Sequence, residues 1–326
     1  MTMRTFLSRL IAQRASLSAA LVLVLMLNCT FVMADGSPAN TRDTYEMQVA
    51  RMFGSYTYGG VWHGMEPILL LESELGRRLD IVHWFMNWQH DFDADLIASA
   101  SAGGRLPMLA WQPHTKTVQA IAAGEHDAYI MSWAEGAAAV GGEIYIRPFP
   151  EMNGDWVPWN GDTESFVAAW QRTVTLFREA GAHNVRWVWC PNITDWPRTP
   201  ENAMERYYPG HDYVDILALD GYNWGDAAQW SDWRSFEDIY AGPYARIADI
   251  GPQPIWAAEI ASAELGGDKA QWVRDMFSST AFPRLEALVW FNENKEADWR
   301  ITSSGLVLEA FRESLSGGTE LAERGE

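Results

Sequence analysis

Two glutamates in this sequence follow or interrupt apolar runs, where an acidic side chain is unusual. Glu259 lies inside the run Pro-Ile-Trp-Ala-Ala-Glu-Ile-Ala, where a buried charged side chain is expected to be either functional or paired with an opposite charge. Glu151 follows a β-rich run that ends in Arg147-Pro-Phe-Pro. Two carboxyl groups flanking one glycosidic bond can hydrolyse it: one protonates the departing oxygen, and in retaining enzymes the other attacks the anomeric carbon. The alternative for Glu259 is a structural ion pair with an inward arginine such as Arg147.

Eight short apolar or β-rich runs recur along the chain, and helix-like stretches separate them. The predicted strands are Met52–Tyr56, Ile81–Phe85, Leu106–Trp111, Glu143–Pro148, Val185–Trp189, Val214–Leu219, Pro254–Glu259 and Leu285–Phe291. Asp162 or Thr163 is predicted to cap one helix and Asp268 another, because apolar residues with helical spacing follow each of them. Eight such units predict the α/β class and a single (β/α)8 TIM barrel. A doubly wound open sheet is the alternative, but no Gly-rich nucleotide loop follows the first strand.

In a TIM barrel the chemistry lies where the strands end and the βα loops begin. Polar and aromatic side chains collect at these predicted ends: Trp111-Gln112, Glu151 to Trp156, Asn192, Asp220-Gly-Tyr222, Glu259, and Trp290 with Asn292. This pattern predicts a cleft at the C-terminal ends of the strands. Strands four and seven face each other across the mouth, so Glu151 and Glu259 are expected to meet there. A separation of about 5 Å would imply retention of configuration, and about 6.5–9.5 Å inversion.

Composition and charge exclude several classes of partner and cofactor. The chain has 326 residues, 48% of them apolar, with a net charge of −19, whereas nucleic acids and anionic membranes both require Lys and Arg on the binding face. Eighteen tryptophans offer flat faces to a neutral, ring-shaped ligand. The seven histidines show no paired metal spacing, which predicts no catalytic metal and no cofactor. Asp91-Phe-Asp93-Ala-Asp95 lacks the Gly and Glu of a calcium loop and is predicted to cap a helix.

Residues 1–34 are predicted to form a signal peptide. Three arginines precede the apolar run 20–27, and Val32-Met-Ala34 supplies small residues for cleavage near Ala34. The apolar run is shorter than the roughly 18 residues of a membrane span. The mature chain, residues 35–326, is then one exported catalytic domain, periplasmic or extracellular, with no required protein partner evident. Its net charge is −22, because the leader contains three arginines and no acidic residue.

The segment Arg147-Pro-Phe-Pro-Glu151-Met-Asn-Gly-Asp-Trp156 closely resembles the strand-four motif of glycoside hydrolase family 26, best known for β-mannanases. Trp187-Val-Trp-Cys-Pro-Asn192, Asp220-Gly-Tyr222, Glu259 and Trp290 follow in the expected order, and the resemblance covers about residues 50–315. The resemblance implies a secreted hydrolase that retains configuration by double displacement in a (β/α)8 barrel. Glu151 would match the acid/base, and Glu259 would match the nucleophile.

The resemblance also implies supporting roles around this pair. Arg147 would lie beneath the carboxylates and help to keep the nucleophile ionised, and Tyr222 would donate a hydrogen bond to it and orient it. Sugar rings are expected to stack on rim tryptophans, and sugar hydroxyls are expected to bond to neighbouring polar groups. The predicted substrate-binding residues are Trp156, Trp290, Asn153, Asp155, Trp111 and Asn192.

One departure from the family pattern concerns the sugar. The family's mannanases usually carry a histidine immediately before the acid/base glutamate, whereas this chain has Pro150, whose side chain cannot donate a hydrogen bond. The first expected substrate is β-1,4-mannan, glucomannan or galactomannan, and a mixed-linkage β-glucan or a β-1,3-xylan is the alternative. A second functional class is a catalytically silent polysaccharide-binding barrel. The intact glutamate pair, with Arg147 and Tyr222, favours the enzyme, for which an endo-β-glycosidase is the expected form.

Overall fold

The computed structural model describes residues 51–316, in which eight parallel strands close into one barrel. The strands are β1 Met52–Thr57, β2 Ile81–Asn87, β3 Leu106–Gln112, β4 Ile144–Pro148, β5 Val185–Trp189, β6 Ile216–Asn223, β7 Ile255–Ser262 and β8 Leu285–Asn292. Each strand pairs with the next, and β1 closes the ring against β8. The predicted (β/α)8 class is therefore confirmed, while the predicted leader, residues 1–34, lies outside the described part of the chain.

Helices follow most of the strands and cover the outside of the barrel. They are α1 Glu66–Leu75, α2 Ala94–Ser101, α3 Val118–Ala122, α4 Asp127–Ala139, α5 Thr163–Glu179, α6 Phe236–Ile250, α7 Lys269–Ser278 and α8 Gly305–Ser316. The β5–β6 connection instead contains three short 3₁₀ helices, Pro200–Asn202, Met204–Tyr207 and His211–Tyr213. Four prolines in this connection remove the amide donors that a longer helix needs. None of the helices within residues 51–316 has the length and apolarity needed to cross a bilayer.

Aspartate side chains cap three of these helices as the sequence predicts. Asp93, Asp162 and Asp268 each accept a hydrogen bond from the backbone N–H three residues further on, at the starts of α2, α5 and α7. Such a cap satisfies one of the free amide groups in the first helical turn and stabilises the helix by about 1 kcal/mol. The three predicted helix starts are confirmed.

Apolar side chains form two separate layers, one inside the barrel and one between the barrel and its helices. The inner layer is small and comprises Ile81, Met108, Tyr145, Val188, Cys190, Ile216, Ala218, Trp256, Ala258, Ala287 and Val289. The outer layer is much larger and contains most of the buried tryptophans. Because successive side chains on a strand alternate between these layers, the parity of a residue decides whether it can reach the cleft.

An extra residue in β7 determines where Glu259 faces. Ala257 pairs with Leu219 of β6, but Glu259 pairs with the very next residue, Asp220, so Ala258 is unmatched. The β7–β8 ladder shows a register shift over the same segment. Ala257 belongs to the outer layer and Ala258 to the inner one, so simple alternation would turn Glu259 outward. The bulge turns it inward beside Asp220 instead.

We expect Gly54→Ala to destabilise the barrel, because Gly54 lies directly against β2. A Cβ atom there would come within 2.6 Å of the Ile81 Cβ and 2.7 Å of the Ile81 carbonyl oxygen. Overpacking of this kind lowers the free energy of unfolding by about 1–3 kcal/mol. Gly305 provides the control, since a Cβ atom at this exposed first residue of α8 has no neighbour within 4 Å. Urea unfolding of both variants tests the close approach, and equal stabilities would contradict it.

Candidate active site

Glu259, near the C-terminal end of β7, accepts hydrogen bonds on both of its carboxylate oxygens. Its Oε1 accepts from the Nη2 of Arg147 on β4, and its Oε2 accepts from the hydroxyl of Tyr222 on β6 at 2.5 Å. The glutamate is 6% exposed, so one edge of the carboxylate still reaches the mouth of the barrel. Two donors and little solvent fix the position of this side chain.

Arg147 is shared between Glu259 and a second carboxylate. Its Nη1 donates to Asp220 Oδ1 at 3.0 Å, and the Cys190 thiol donates to the same oxygen at 3.1 Å. Burial raises the pKa of Asp220 well above the ordinary carboxyl value, although Arg147 opposes the rise. Burial alone would lower the pKa of Arg147, but Asp220 and Glu259 raise it above its ordinary value. The floor of the site is therefore a guanidinium held between two acids.

His83 of β2 faces the same carboxylate without carrying a charge. Its Nδ1 lies 3.1 Å from the Met108 carbonyl oxygen, which can only accept, so the proton resides on Nδ1. Its Nε2 lies 4.0 Å from Glu259 Oε1. Complete burial, and then the positive Arg147, lower the pKa of His83 well below its ordinary value. The imidazole is thus neutral beside the acid.

Tyr222 keeps its proton and is held by aromatic neighbours. Burial, followed by the negative charge of Glu259, raises the pKa of this phenol well above its ordinary value. Its ring centroid lies 5.3 Å from that of Trp299 and 5.8 Å from that of Phe291. A protonated phenol in a fixed position acts as a steady hydrogen-bond donor to Glu259.

Glu151 lies just beyond β4 and is held by a different set of contacts. Its φ angle is +57°, in the left-handed region that residues other than glycine rarely adopt, and Phe149 two residues earlier has φ +49°. Its backbone N–H donates to the Cys190 carbonyl at 2.9 Å. Asn192 Nδ2 donates to its Oε1 at 2.6 Å, and Trp156 Nε1 donates to its Oε2 at 2.7 Å. Strained backbone of this kind is often found at functional sites.

The two glutamates are electrostatically linked. Burial raises the pKa of Glu151 above its ordinary value, and the negative charge of Glu259 raises it further. The hydrogen bonds from Asn192 and Trp156 partly oppose this rise. A glutamate whose protonated form is favoured, next to a carboxylate held by two donors, is the arrangement that an acid and a nucleophile require.

Three of the predicted substrate-binding residues lie at the surface of the site or touch Glu151. Trp156 is 50% exposed, and Asp155 beside it is also exposed. A Cβ atom on Gly154 would lie 2.3 Å from the Trp156 ring, so the glycine lets this ring pack directly against the loop backbone. Asn192 is half-buried, and its amide is committed to the Glu151 carboxylate.

Three of the predicted substrate contacts are buried in this structure. Trp111, Trp290 and Asn153 all have 0% exposure, so they present no surface to a ligand. Trp111 and Trp290 belong to the outer layer, because their parity on β3 and β8 turns them away from the cleft. The Asn153 carboxamide is used within the loops: it accepts from the N–H of Asn192 and donates to the Asp195 carboxylate.

Several residues of the site were missed as functional residues at the sequence level. Asp220 carried a visible signal, since it ends a buried apolar run just before Tyr222. Cys190 was given no role at the sequence level; it is buried, and its thiol donates to Asp220. Neither His83 nor Trp299 stands in a distinctive motif, so only the three-dimensional packing brings His83 beside Glu259 and Trp299 against Tyr222.

This chain is similar to a glycoside hydrolase family model and to two named glycoside hydrolases. The model described as Glycosyl hydrolase family 26 matches residues 128–260, a segment that contains both glutamates. Endoglucanase H of Acetivibrio thermocellus is 39% identical over 291 residues, which cover 82% of this chain and 31% of that protein. Mannan endo-1,4-beta-mannosidase A and B of Caldalkalibacillus mannanilyticus is 30% identical over 175 residues, which cover 51% of this chain and 32% of that protein. The chain thus spans about a third of the length of these relatives.

Solved structures with the same fold include two β-mannanases. One is from a symbiotic protist of the termite Reticulitermes speratus, with a TM-score of 0.59 and 17% identity, covering 82% of this chain and 87% of that one. The other is the modular endo-beta-1,4-mannanase of Cellulomonas fimi, with a TM-score of 0.61 and 18% identity, covering 81% of this chain and 70% of that one. At these identities the likeness establishes the barrel fold alone.

We expect Glu151→Gln to change how stability depends on pH. A raised pKa in the folded state means that protonation of Glu151 favours folding, so this contribution is present at low pH and is lost as pH rises through the folded-state pKa. The variant lacks that loss, so its free energy of unfolding should gain on the wild type as pH rises above about 4.5. Urea unfolding between pH 4 and 9 measures the difference.

Loss of a hydrogen bond from Trp156 in the glutamine variant would add an offset that does not vary with pH, so the slope is the informative quantity. Glu286→Gln on the exposed part of β8 controls for the loss of one negative charge. Parallel pH profiles for the wild type and Glu151→Gln would contradict the raised pKa.

Proposed function

Because this chain belongs to glycoside hydrolase family 26, we propose that it is an exported, retaining endo-β-glycosidase that cleaves a β-linked glucan. The observation that carries the proposal is the difference between the two glutamates. Glu259 is held between Arg147 and Tyr222, whereas burial and the charge of Glu259 favour the protonated form of Glu151. An acid and a nucleophile need opposite environments of this kind.

In the first step Glu259 attacks the anomeric carbon while Glu151 gives its proton to the departing glycosidic oxygen. The bond from the anomeric carbon to that oxygen breaks, a glycosyl ester with Glu259 forms, and the shortened chain leaves as an alcohol. Arg147 and Tyr222 hold the attacking carboxylate in place. Asn192 and Trp156 hold the acid towards the cleft.

In the second step the same residues work in reverse. Glu151, now a carboxylate, takes a proton from water, and the water oxygen attacks the anomeric carbon. The ester bond breaks, Glu259 is restored as a carboxylate, and the sugar is released with its original anomeric configuration. After Glu151 has given up its proton in the first step, the hydrogen bonds from Asn192 and Trp156 stabilise its anion until the second step.

Two observations favour glucan over mannan as the substrate. Pro150 replaces the histidine that mannanases of the family usually carry before the acid/base residue, and its carbonyl is occupied by the Trp159 indole N–H at 2.8 Å. The relative matched over most of this chain is named an endoglucanase, although the match covers a third of that protein. Mannan remains the second candidate, favoured by the mannosidase relative of Caldalkalibacillus mannanilyticus. This order reverses the one expected from sequence.

Exposed tryptophans around the rim support binding of an extended chain and hence endo action. Trp62 follows β1, Trp156 follows β4 and Trp230 follows β6, and each is at least 41% exposed. Indole faces of this kind stack on pyranose rings. Export is part of the proposal and rests on the leader pattern of residues 1–34.

We expect the protein to release reducing sugar from mixed-linkage β-glucan and to lose at least about 10⁴-fold in rate when Glu259 is changed to Ala, since the double displacement has no other nucleophile. Galactomannan, glucomannan and β-1,3-xylan complete the substrate panel. Glu286→Ala is the matched control, because this exposed glutamate lies on β8 away from the mouth. Proton NMR of the first product formed should show the β-anomer.

Release from mannans but not from glucan would overturn the substrate and keep the mechanism. An α-anomer as the first product would overturn retention. Failure to cleave any of the four polymers, together with retained binding, would favour the silent barrel instead.

We expect Trp156→Phe to move the basic limb of the pH profile of kcat/KM to higher pH. The indole N–H donates to Glu151 and lowers its pKa, so removing that donor raises the pKa and keeps the acid protonated further into the alkaline range. The phenyl ring keeps an aromatic face for the sugar. Trp230→Phe, which changes another exposed rim tryptophan, is the control. A basic limb that stays in place in Trp156→Phe would argue against Glu151 as the acid.

A further inference from the structure

Three consecutive carbonyl groups of the β8–α8 loop, residues 293–304, are held by side chains from outside the barrel. Lys269 Nζ donates to the carbonyls of Asp298 and Arg300 at 3.0 and 2.9 Å. The carbonyl between them, that of Trp299, accepts from the Trp290 indole N–H at 2.7 Å. A backbone segment whose carbonyls are all engaged has little freedom to shift.

The anchoring lysine is itself buried and fully used. Lys269, the first residue of α7, is 1% exposed, and its third donor reaches the Ser303 hydroxyl at 3.0 Å. Its ammonium lies 5.8 Å from the Trp290 ring centroid. Burial lowers its pKa to about 8, against the opposing charges of Glu264 and Asp298. A lysine is rarely buried unless its donors are matched, and here all three donors are spent on one loop.

The segment that Lys269 holds carries a ring that packs on the catalytic machinery. Trp299 is 1% exposed, and its ring centroid lies 5.3 Å from that of Tyr222. Trp299 also packs edge-on against Trp224, with the two ring centroids 4.9 Å apart. Tyr222 in turn donates to Glu259. The contacts therefore run without a gap from Lys269 through the loop and Trp299 to the phenol that orients the carboxylate.

We propose that Lys269 is a positioning residue for the reaction: it fixes the β8–α8 loop so that Trp299 keeps the Tyr222 hydroxyl on Glu259. The inference rests on the proposed function for its catalytic readout. No motif marks Lys269, and Trp290 contributes to the same anchor rather than to the sugar site.

A buried lysine that only adds stability would give a different set of results. Arg284 offers the comparison, because its guanidinium also holds a loop through three acceptors, the carbonyls of Ala248, Gly251 and Gln253. These contacts lie at the opposite end of the barrel, before β7 and β8 begin. Arg284→Met therefore removes a similar anchor without touching the site.

We expect Lys269→Met to lower kcat about tenfold, with KM changed by less than about twofold, because a small displacement of a positioned group is costly in the reacting complex. In a Tyr222→Phe background the same substitution should cost less than about threefold, since residues that act through one another are not additive. Hydrogen exchange should accelerate for the amides of residues 293–304. Arg284→Met should lower Tm and leave kcat unchanged. If Lys269→Met folds poorly, Ser303→Ala takes its place: it removes one acceptor of the lysine and should lower kcat and accelerate loop exchange to a smaller extent.

Equal losses of kcat from Lys269→Met in the wild-type and Tyr222→Phe backgrounds would overturn the route through Tyr222. Faster exchange of the loop with unchanged kcat would overturn the positioning role, as would unchanged exchange. If the wild type cleaves no polysaccharide, the proposed function fails, and loop exchange in Lys269→Met still decides whether the lysine holds Trp299 in place.

Discussion

The buried guanidinium of Arg147 is the constraint on which the rest of the site depends. It lies between Asp220 and Glu259, two acids that face each other on neighbouring strands, and all three are almost free of solvent. Removing one member of a buried charge group leaves its partners uncompensated, at a cost of about 3–5 kcal/mol. The group also affects the other glutamate: burial, and then the negative charge of Glu259, raise the pKa of Glu151, while Arg147 opposes the rise.

The two glutamates are held in ways that suit different tasks. Glu259 is part of a strand, with a partner on each oxygen, and the nucleophile of the proposed mechanism must stay at one attacking position. Glu151 lies on a loop with a left-handed backbone, and its contacts come from the amide of Asn192 and the half-exposed indole of Trp156. Neutral donors of this kind tolerate both a carboxyl and a carboxylate. The proposed mechanism, in which Glu151 is first an acid and then a base, needs that tolerance.

The sequence allowed the fold to be predicted further than the site. Apolar runs locate all eight strands. Aspartates followed by apolar residues with helical spacing locate helix starts such as that of α5. The direction of side chains is harder, since strands of a barrel are apolar on both faces and their parity cannot be assigned. Trp290 is the instructive case: Ala287 and Val289 face inward, so Trp290 faces outward. For Glu259, the parity rule itself fails, because the bulge at Ala258 depends on pairing with two neighbouring strands.

Residues that face outward from a strand can still affect the cleft at the mouth of the barrel, because they can position the loops that line it. A βα loop leaves the end of a strand and returns to a helix on the outside, so side chains of the outer layer can hydrogen-bond to its backbone. The β8–α8 loop is held in this way, because Trp290 donates to the Trp299 carbonyl and Lys269 donates to the carbonyls on either side of it. The division of a barrel into a catalytic face and a stabilising remainder is therefore incomplete for this chain. A side chain with no access to substrate can act on the site by fixing the position of a loop. The structure reveals Lys269 as such a residue through its buried charge at the first turn of a helix, whereas no motif at a strand end marks it in the sequence.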